Sequence, residues 1–335
     1  MSFTQGFALG YRMAGFQPFR VNCPADEIGL RSSDMATPEP SSLLDPVAIS
    51  RAESLGLNAR YIVEGYMAGE HKSPYRGFAV EFAQHREYTH GDDPRHLDWK
   101  VLGRTDRYYI KQYEQETNYA AHLLLDGSES MKYGSGKLTK LHYGKMMAAC
   151  LAYLILRQRD AVALALFDTT VRDYSPRSDN LATIHRLMAR LAAFEPREQT
   201  NIATVLHDMA RQIRRKGIVI IISDFFDDEQ KALDGIQHLR FGGNEVVVFH
   251  VLDPYELEFP FTGLVEFEGL EGIPKILARP GEIRKSYLRE LEAFRLRLRD
   301  GCEKNQCHYT LVNTAQPLPE VLSAYLAFRL RTTTR

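Results

Sequence analysis

Ala120-Ala121-His122-Leu123-Leu124-Leu125, followed directly by Asp126-Gly127-Ser128-Glu129-Ser130, decides how this chain is read. The apolar run has the length and continuity of a parallel strand buried on both faces. In open α/β sheets, ligands collect in the crevice beyond the carboxyl ends of such strands. Here the turn leaving the strand carries a carboxylate and then two hydroxyls at alternate positions. Mg²⁺ takes oxygen ligands in near-octahedral geometry at about 2.0–2.1 Å and keeps several waters, so one carboxylate with hydroxyls suits it.

Two further elements come next in order. Thr200-Asn201-Ile202 opens an apolar-periodic stretch, Ile202, Val205, Leu206, Met209 and Ile213, which predicts an amphipathic helix with Thr200 at or just before its start. A second buried strand, Ile218 to Ile222, ends in Ser223-Asp224. Three successive loops thus supply Asp126, Ser128, Ser130, Thr200 and Asp224. The competing reading is that Ser128, Ser130 and Thr200 merely cap helices. The set resembles the metal-ion-dependent adhesion site of von Willebrand factor A domains. That resemblance implies that Asp126, Ser128, Ser130 and Thr200 are direct or water-bridged ligands of Mg²⁺, or of another divalent cation such as Mn²⁺ or Ca²⁺. It also implies that Asp224 binds through water.

A second block precedes the metal loop: Glu81-Phe82, Arg86-Glu87-Tyr88, Gly91-Asp92-Asp93-Pro94-Arg95-His96-Leu97-Asp98-Trp99, Gly103-Arg104 and Tyr113-Glu114-Gln115-Glu116. Its Arg-x-Tyr-x-x-Gly-Asp-Asp-x-Arg-x-x-Asp-Trp pattern is far more specific than the metal loop. The arrangement is similar to the bacterial family catalogued as domain of unknown function 58, over roughly residues 65 to 330. The resemblance implies a von Willebrand A-like fold and a gene commonly found beside MoxR-type AAA+ ATPases.

The 335 residues, 44% hydrophobic and 25% charged, are enough to bury a large core, and one large domain with appendages is expected. A net charge of −1 gives no bulk electrostatic attraction to nucleic acid or anionic membrane. No stretch reaches the roughly 18 apolar residues that span a bilayer. Met146 to Leu156 is too short and is bracketed by Lys145 and Arg157, and the N-terminus lacks a signal-peptide pattern, so a cytoplasmic protein without membrane insertion is expected. Cys23, Cys150, Cys302 and Cys307 form neither a disulfide framework nor a paired zinc motif.

The expected fold class is α/β, a doubly wound, mostly parallel sheet with helices on both faces, preceded by a smaller N-terminal region of a helix and strands. Residues 1–42 read as a disordered extension, ending in the linker-like Ala36-Thr37-Pro38-Glu39-Pro40-Ser41-Ser42, and Met35 is an alternative start. Residues 43–118 read as an N-terminal helix and the family-specific region packed on the core. Within it, 78–82 and 108–113 alternate as strands, and Asp93-Pro94 reads as a helix start. Trp99, the chain's only indole, is expected to pack inside. Residues 119–335 read as the α/β domain: strands 120–125, 161–167, 218–222, 245–251 and 307–313, with helices 140–157, 179–193, 202–215, 228–240, 281–301 and 317–331. The turn-rich stretch 253–278 reads as an inserted loop or small hairpin, too rich in Gly and Pro for a helix.

Other chemistries fit less well. Gly134-Ser135-Gly136-Lys137 lacks the Gly at position 131 and the hydroxyl at position 138 that a phosphate loop requires. No strand leads into a nucleophile elbow. Asp227 and Asp228 read as favourable charges in the first turn of a helix. The function expected from the resemblance is therefore a non-enzymatic, metal-dependent protein-binding module of adaptor or chaperone type. It would act with a MoxR-type AAA+ ATPase or its client, through a partner carboxylate that completes the metal's coordination. The alternative is a metal-dependent phosphatase or hydrolase using the Asp126 loop.

Overall fold

The computed structural model of the chain describes residues 19–22, 40–54, 80–89, 97–115, 120–197, 201–214, 216–269 and 276–333. The chain divides into two compact units, residues 70–118 and the remainder. Residues 43–54, which the sequence pattern groups with 70–118, fall in the larger one.

The larger unit is built on six strands: β4 (Ala120–Asp126), β5 (Ala161–Phe167), β6 (Val171–Ser178), β7 (Ile218–Ser223), β8 (Glu245–Leu252) and β11 (His308–Asn313). Their order across the sheet is β11-β8-β7-β4-β5-β6, parallel throughout except that β6 runs antiparallel beside β5. β4, β5 and β7 are buried along their whole length, as their uninterrupted apolar runs require.

Side chains alternate between two cores. Ala121, Leu123 and Leu125 point with Ile218, Ile220 and Ile222 toward α3 (Lys140–Arg157), α4 (Thr183–Ala193) and α9 (Leu318–Thr333). Leu124, Val219 and Ile221 point the other way, toward α5 (Ile202–Gln212), α6 (Glu229–Phe241) and α8 (Pro280–Lys304). This is the doubly wound architecture expected. β6 was not expected, because the half-exposed edge segment Val-Arg-Asp-Tyr-Ser-Pro-Arg-Ser has no clean alternation.

Helix α1 (Pro46–Ser54), preceded by a 3₁₀ turn at Pro40–Leu43, packs on α9, with Leu43 and Ala48 in the first core. The stretch 253–278 does contain a hairpin, β9 (Val265–Gly269) with β10 (Ile276–Ala278), but it opens with a short helix, α7 (Pro254–Glu258). The turn-rich composition hid that helix. Asp253 and Glu256 form a complete capping box around Pro254, and such a cap supports one turn even where the chain beyond it is rich in Gly and Pro. β1 (Phe19–Asn22) pairs antiparallel with β9, from Phe19 opposite Gly269 to Asn22 opposite Glu266. Within residues 1–42, read in sequence as a disordered extension, 19–22 form this strand and 40–42 lie in the 3₁₀ turn. The rest of that extension up to residue 39 lies outside the described residues.

The smaller unit pairs β2 (Val80–Glu87) antiparallel with β3 (Tyr109–Gln115), with a bulge between Phe82 and Gln84. Between them, α2 (Trp99–Thr105) starts at Asp98, whose carboxylate accepts the N–H groups of Lys100 and Val101. Asp93-Pro94 lies outside the described residues. Trp99 is 65% exposed on the first turn of α2, contrary to the expectation that it packs inside. Helix α2 has no buried residue, so it offers the indole no core.

Candidate metal centre

β4 is the point at which the winding of the sheet reverses: the chain leaves it through α3 on one face to reach β5, and later arrives at β7 from α5 on the other face. The carboxyl ends of β4 and β7 therefore flank the crevice in which doubly wound sheets bind ligands. Asp126 closes β4, and Ser223-Asp224 closes β7. All three are fully buried.

Asp126 is held at both oxygens. Oδ1 accepts the Ser128 N–H at 2.8 Å, and Oδ2 accepts the Ser223 hydroxyl at 2.6 Å. Gly127 N–H donates to Phe167 O at 2.7 Å, carrying the ladder one residue past the strand. The Gly is required, because a Cβ there would lie 2.1 Å from the Phe194 ring. A 3₁₀ turn, Glu129–Lys132, then bends the chain. Ser128 sits at its N-cap position, yet its side chain makes no capping bond, which removes the capping explanation for that residue. Its hydroxyl instead faces that of Ser130 at 2.9 Å, and both serines are fully buried. At that separation the two hydroxyls share a hydrogen bond, so their oxygens lie together at the turn after β4.

On the β7 side, Phe225 takes a left-handed conformation (φ 55°), rare for a bulky residue, and its N–H is accepted by Ser223 Oγ at 2.9 Å. Asp224 Oδ1 accepts the Phe226 N–H at 3.2 Å, and Oδ2 accepts from Lys140 Nζ at 2.8 Å. Lys140, the first residue of α3, is completely buried and also donates to Glu256 Oε1 at 2.7 Å. Burial acts to lower its pKa, but Asp224 and Glu256 outweigh burial and raise it, so the group is a fixed cation. Glu256 Oε2 accepts the Asp253 N–H at 2.8 Å, and the Asp253 carboxylate accepts both the N–H (2.9 Å) and the hydroxyl (2.5 Å) of Ser135. The Gly134–Lys137 turn is therefore pinned to α7 by a carboxylate, which is incompatible with a phosphate cradle at that position.

Sequence reasoning missed Lys140, Ser223, Asp253 and Glu256. The Lys140–Asp224 and Lys140–Glu256 contacts span 84 and 116 residues, so no local spacing announces them. The available signal was a lysine opening a helix that continues into the apolar run Met146–Leu156. Of the five residues expected at the site, Asp126, Ser128, Ser130 and Asp224 lie on the two loops at this crevice, whereas Thr200 lies outside the described residues. Its neighbour Asn201 caps α5 by accepting the Thr204 N–H, and its N–H donates to Asp168 O at 3.2 Å. Asp227 Oδ2 accepts the Ile202 N–H at 3.0 Å, tying the start of α5 to the β7 loop, and Asp228 caps α6.

The donor set fits a hard cation. Burial, then the neighbouring Asp224 charge, push the Asp126 carboxyl up to about 7 despite its hydrogen bonds. A carboxylate in that position is stabilised by a positive charge. Asp126 with the Ser128 and Ser130 hydroxyls would hold a divalent cation. The cation would supply a Lewis-acidic position for an anionic oxygen.

Comparison with known proteins places the chain in a family. The profile described as "Protein of unknown function DUF58" matches residues 84–295, well over half of the chain. The chain belongs to the DUF58 family. Among similar chains, the uncharacterized protein Rv1480 of Mycobacterium tuberculosis is 24% identical over 257 residues, covering 75% of this chain and 80% of that one. Among solved structures, BatB from Bacteroides thetaiotaomicron is similar at 15% identity and a TM-score of 0.42, covering 64% of this DUF58 chain and 99% of that chain. An aerotolerance-related membrane protein from Bacteroides fragilis gives 16% and 0.42, covering 64% and 98%. Among the described residues of this DUF58 chain, no helix is long and apolar enough to cross a membrane.

Proposed function

We propose that the chain is a metal-dependent protein-binding module, and that its partner is a MoxR-type AAA+ ATPase or that ATPase's client. The observation that carries the reading is the gathering of two buried carboxylates, Asp126 and Asp224, and two buried hydroxyls, Ser128 and Ser130, on adjacent strand ends at the switch point of a doubly wound sheet. A divalent cation there keeps a position for a partner's Asp or Glu side chain, and the surrounding loops supply shape. The ATPase partner rests on the resemblance of the Arg86–Trp99 block to a family commonly encoded beside such ATPases.

Calorimetric titration with the ATPase encoded nearest this gene, with and without Mg²⁺, tests the reading. Binding should weaken in EDTA and in Asp126→Ala and Thr200→Ala. Binding that ignores the metal and both variants would leave a complex but remove coordination as its basis. Turnover of a generic phosphoester that disappears in Asp126→Ala would replace this reading with that of a hydrolase.

A further inference from the structure

Lys140 has a position that stability alone does not explain. Taking an ammonium and two carboxylates out of water costs several kcal/mol per ion, and well-packed apolar groups commonly do as well in such places. Yet Lys140, Asp224 and Glu256 are all buried, and the Phe226 ring, 4.7 Å from Nζ, helps to close the pocket. The ammonium contacts Asp224, which follows β7, the strand paired in parallel with β4 and its terminal Asp126. Asp224 Oδ2 is engaged by Nζ and Oδ1 by the Phe226 N–H, so its negative charge is directed to the lysine.

We propose that Lys140 is the positioning residue that sets the charge of this centre: by holding Asp224 it keeps Asp126 the only anionic ligand of the bound cation. This rests on the metal-site reading above. A cation bound by one carboxylate and neutral hydroxyls retains excess positive charge, and an incoming carboxylate then completes its shell. Were Asp224 free, it would neutralise the cation from within the protein, and an anionic partner would gain less. The contact of Glu256 with the same ammonium extends this control to α7, where Asp253 also grips the Ser135 turn.

Titration of the full chain with Mn²⁺, with free Mn²⁺ counted by electron paramagnetic resonance, tests the assignment. Lys140→Met should bind Mn²⁺ about tenfold tighter or more, since a nearby positive charge is lost and a carboxylate is released. Lys140→Met with Asp224→Asn should return toward the parental affinity. A residue that merely props up the fold would lose affinity on replacement and never gain it. Because Lys140→Met leaves two buried carboxylates without their cation, Lys140→Met/Glu256→Gln is the better-tolerated companion and should show the same gain. Parental or weaker binding in both lysine variants, with parental binding lost in Asp126→Ala, overturns the role of Lys140 and leaves the metal site standing. Binding in the lysine variants alone, dependent on Asp126, supports the role of Lys140. Absence of binding in every variant overturns both.

Discussion

Asp126 and His122 lie on the same strand, and each leads to a measurable consequence of burial. If the proposed site binds Mg²⁺ with a dissociation constant of about 1 mM, 5 mM Mg²⁺ should stabilise the fold by about 1 kcal/mol through mass action. That corresponds to a Tm rise of roughly 2–4 °C for a domain of this size. Asp126→Ala should abolish the rise in a thermal melt, because hydroxyls do not replace a carboxylate. An equal response in parent and variant would place the metal elsewhere. His122 is buried, its Nδ1 has no hydrogen-bond partner among the described residues, and burial, then the Arg177 charge, lower its pKa to about 4. The folded state therefore binds fewer protons than the unfolded state below the ordinary value of 6.5. The stability held by neutral His122 is complete above about pH 6.5 and is lost as pH falls toward 4, by about 2 kcal/mol at pH 5. Urea unfolding at pH 7 and pH 5 should show a smaller difference in His122→Leu than in the parent. Identical pH dependence in the two would exclude His122 as its source.

The elements around the site are held by loop contacts, and the most sensitive is the turn after β4. Gly127 lies against the edge of Phe194, the residue following α4, and the Arg172 guanidinium sits 4.7 Å from the centre of that ring. Gly127→Ala should overpack this contact and cost about 1–3 kcal/mol in urea unfolding. Adding Phe194→Ala should recover part of the loss, whereas strictly additive costs would show that the two residues do not meet in solution. Most elements of the larger unit were legible in the sequence, since a fully buried parallel strand must be apolar throughout and an amphipathic helix must repeat at 3.6 residues. β6 and α7 were not: one is an edge strand with mixed exposure, and the other is a single turn that owes its existence to a capping box.

At the scale of the whole molecule, β1 joins residues 19–22 to β9 across more than 240 positions of sequence, so chain long before the first core helix is tied to the segment after α7. Amides in Val265–Gly269 should exchange with deuterium more slowly in the full chain than in one beginning at Met35, which lacks β1. Equal exchange would show that β1 does not pair with β9 in solution. The order of buried strands and helices, the winding, and the strand-end loops carrying Asp126, Ser128, Ser130 and Asp224 were determined by the sequence itself, because burial and periodicity are local properties of a chain. Only the tertiary structure decided that Ser223 grips Asp126 and that Lys140 stands between Asp224 and Glu256. Charges 84 and 116 residues apart meet only when the sheet and its helices have packed, and a buried lysine looks in sequence like any other helix-opening charge.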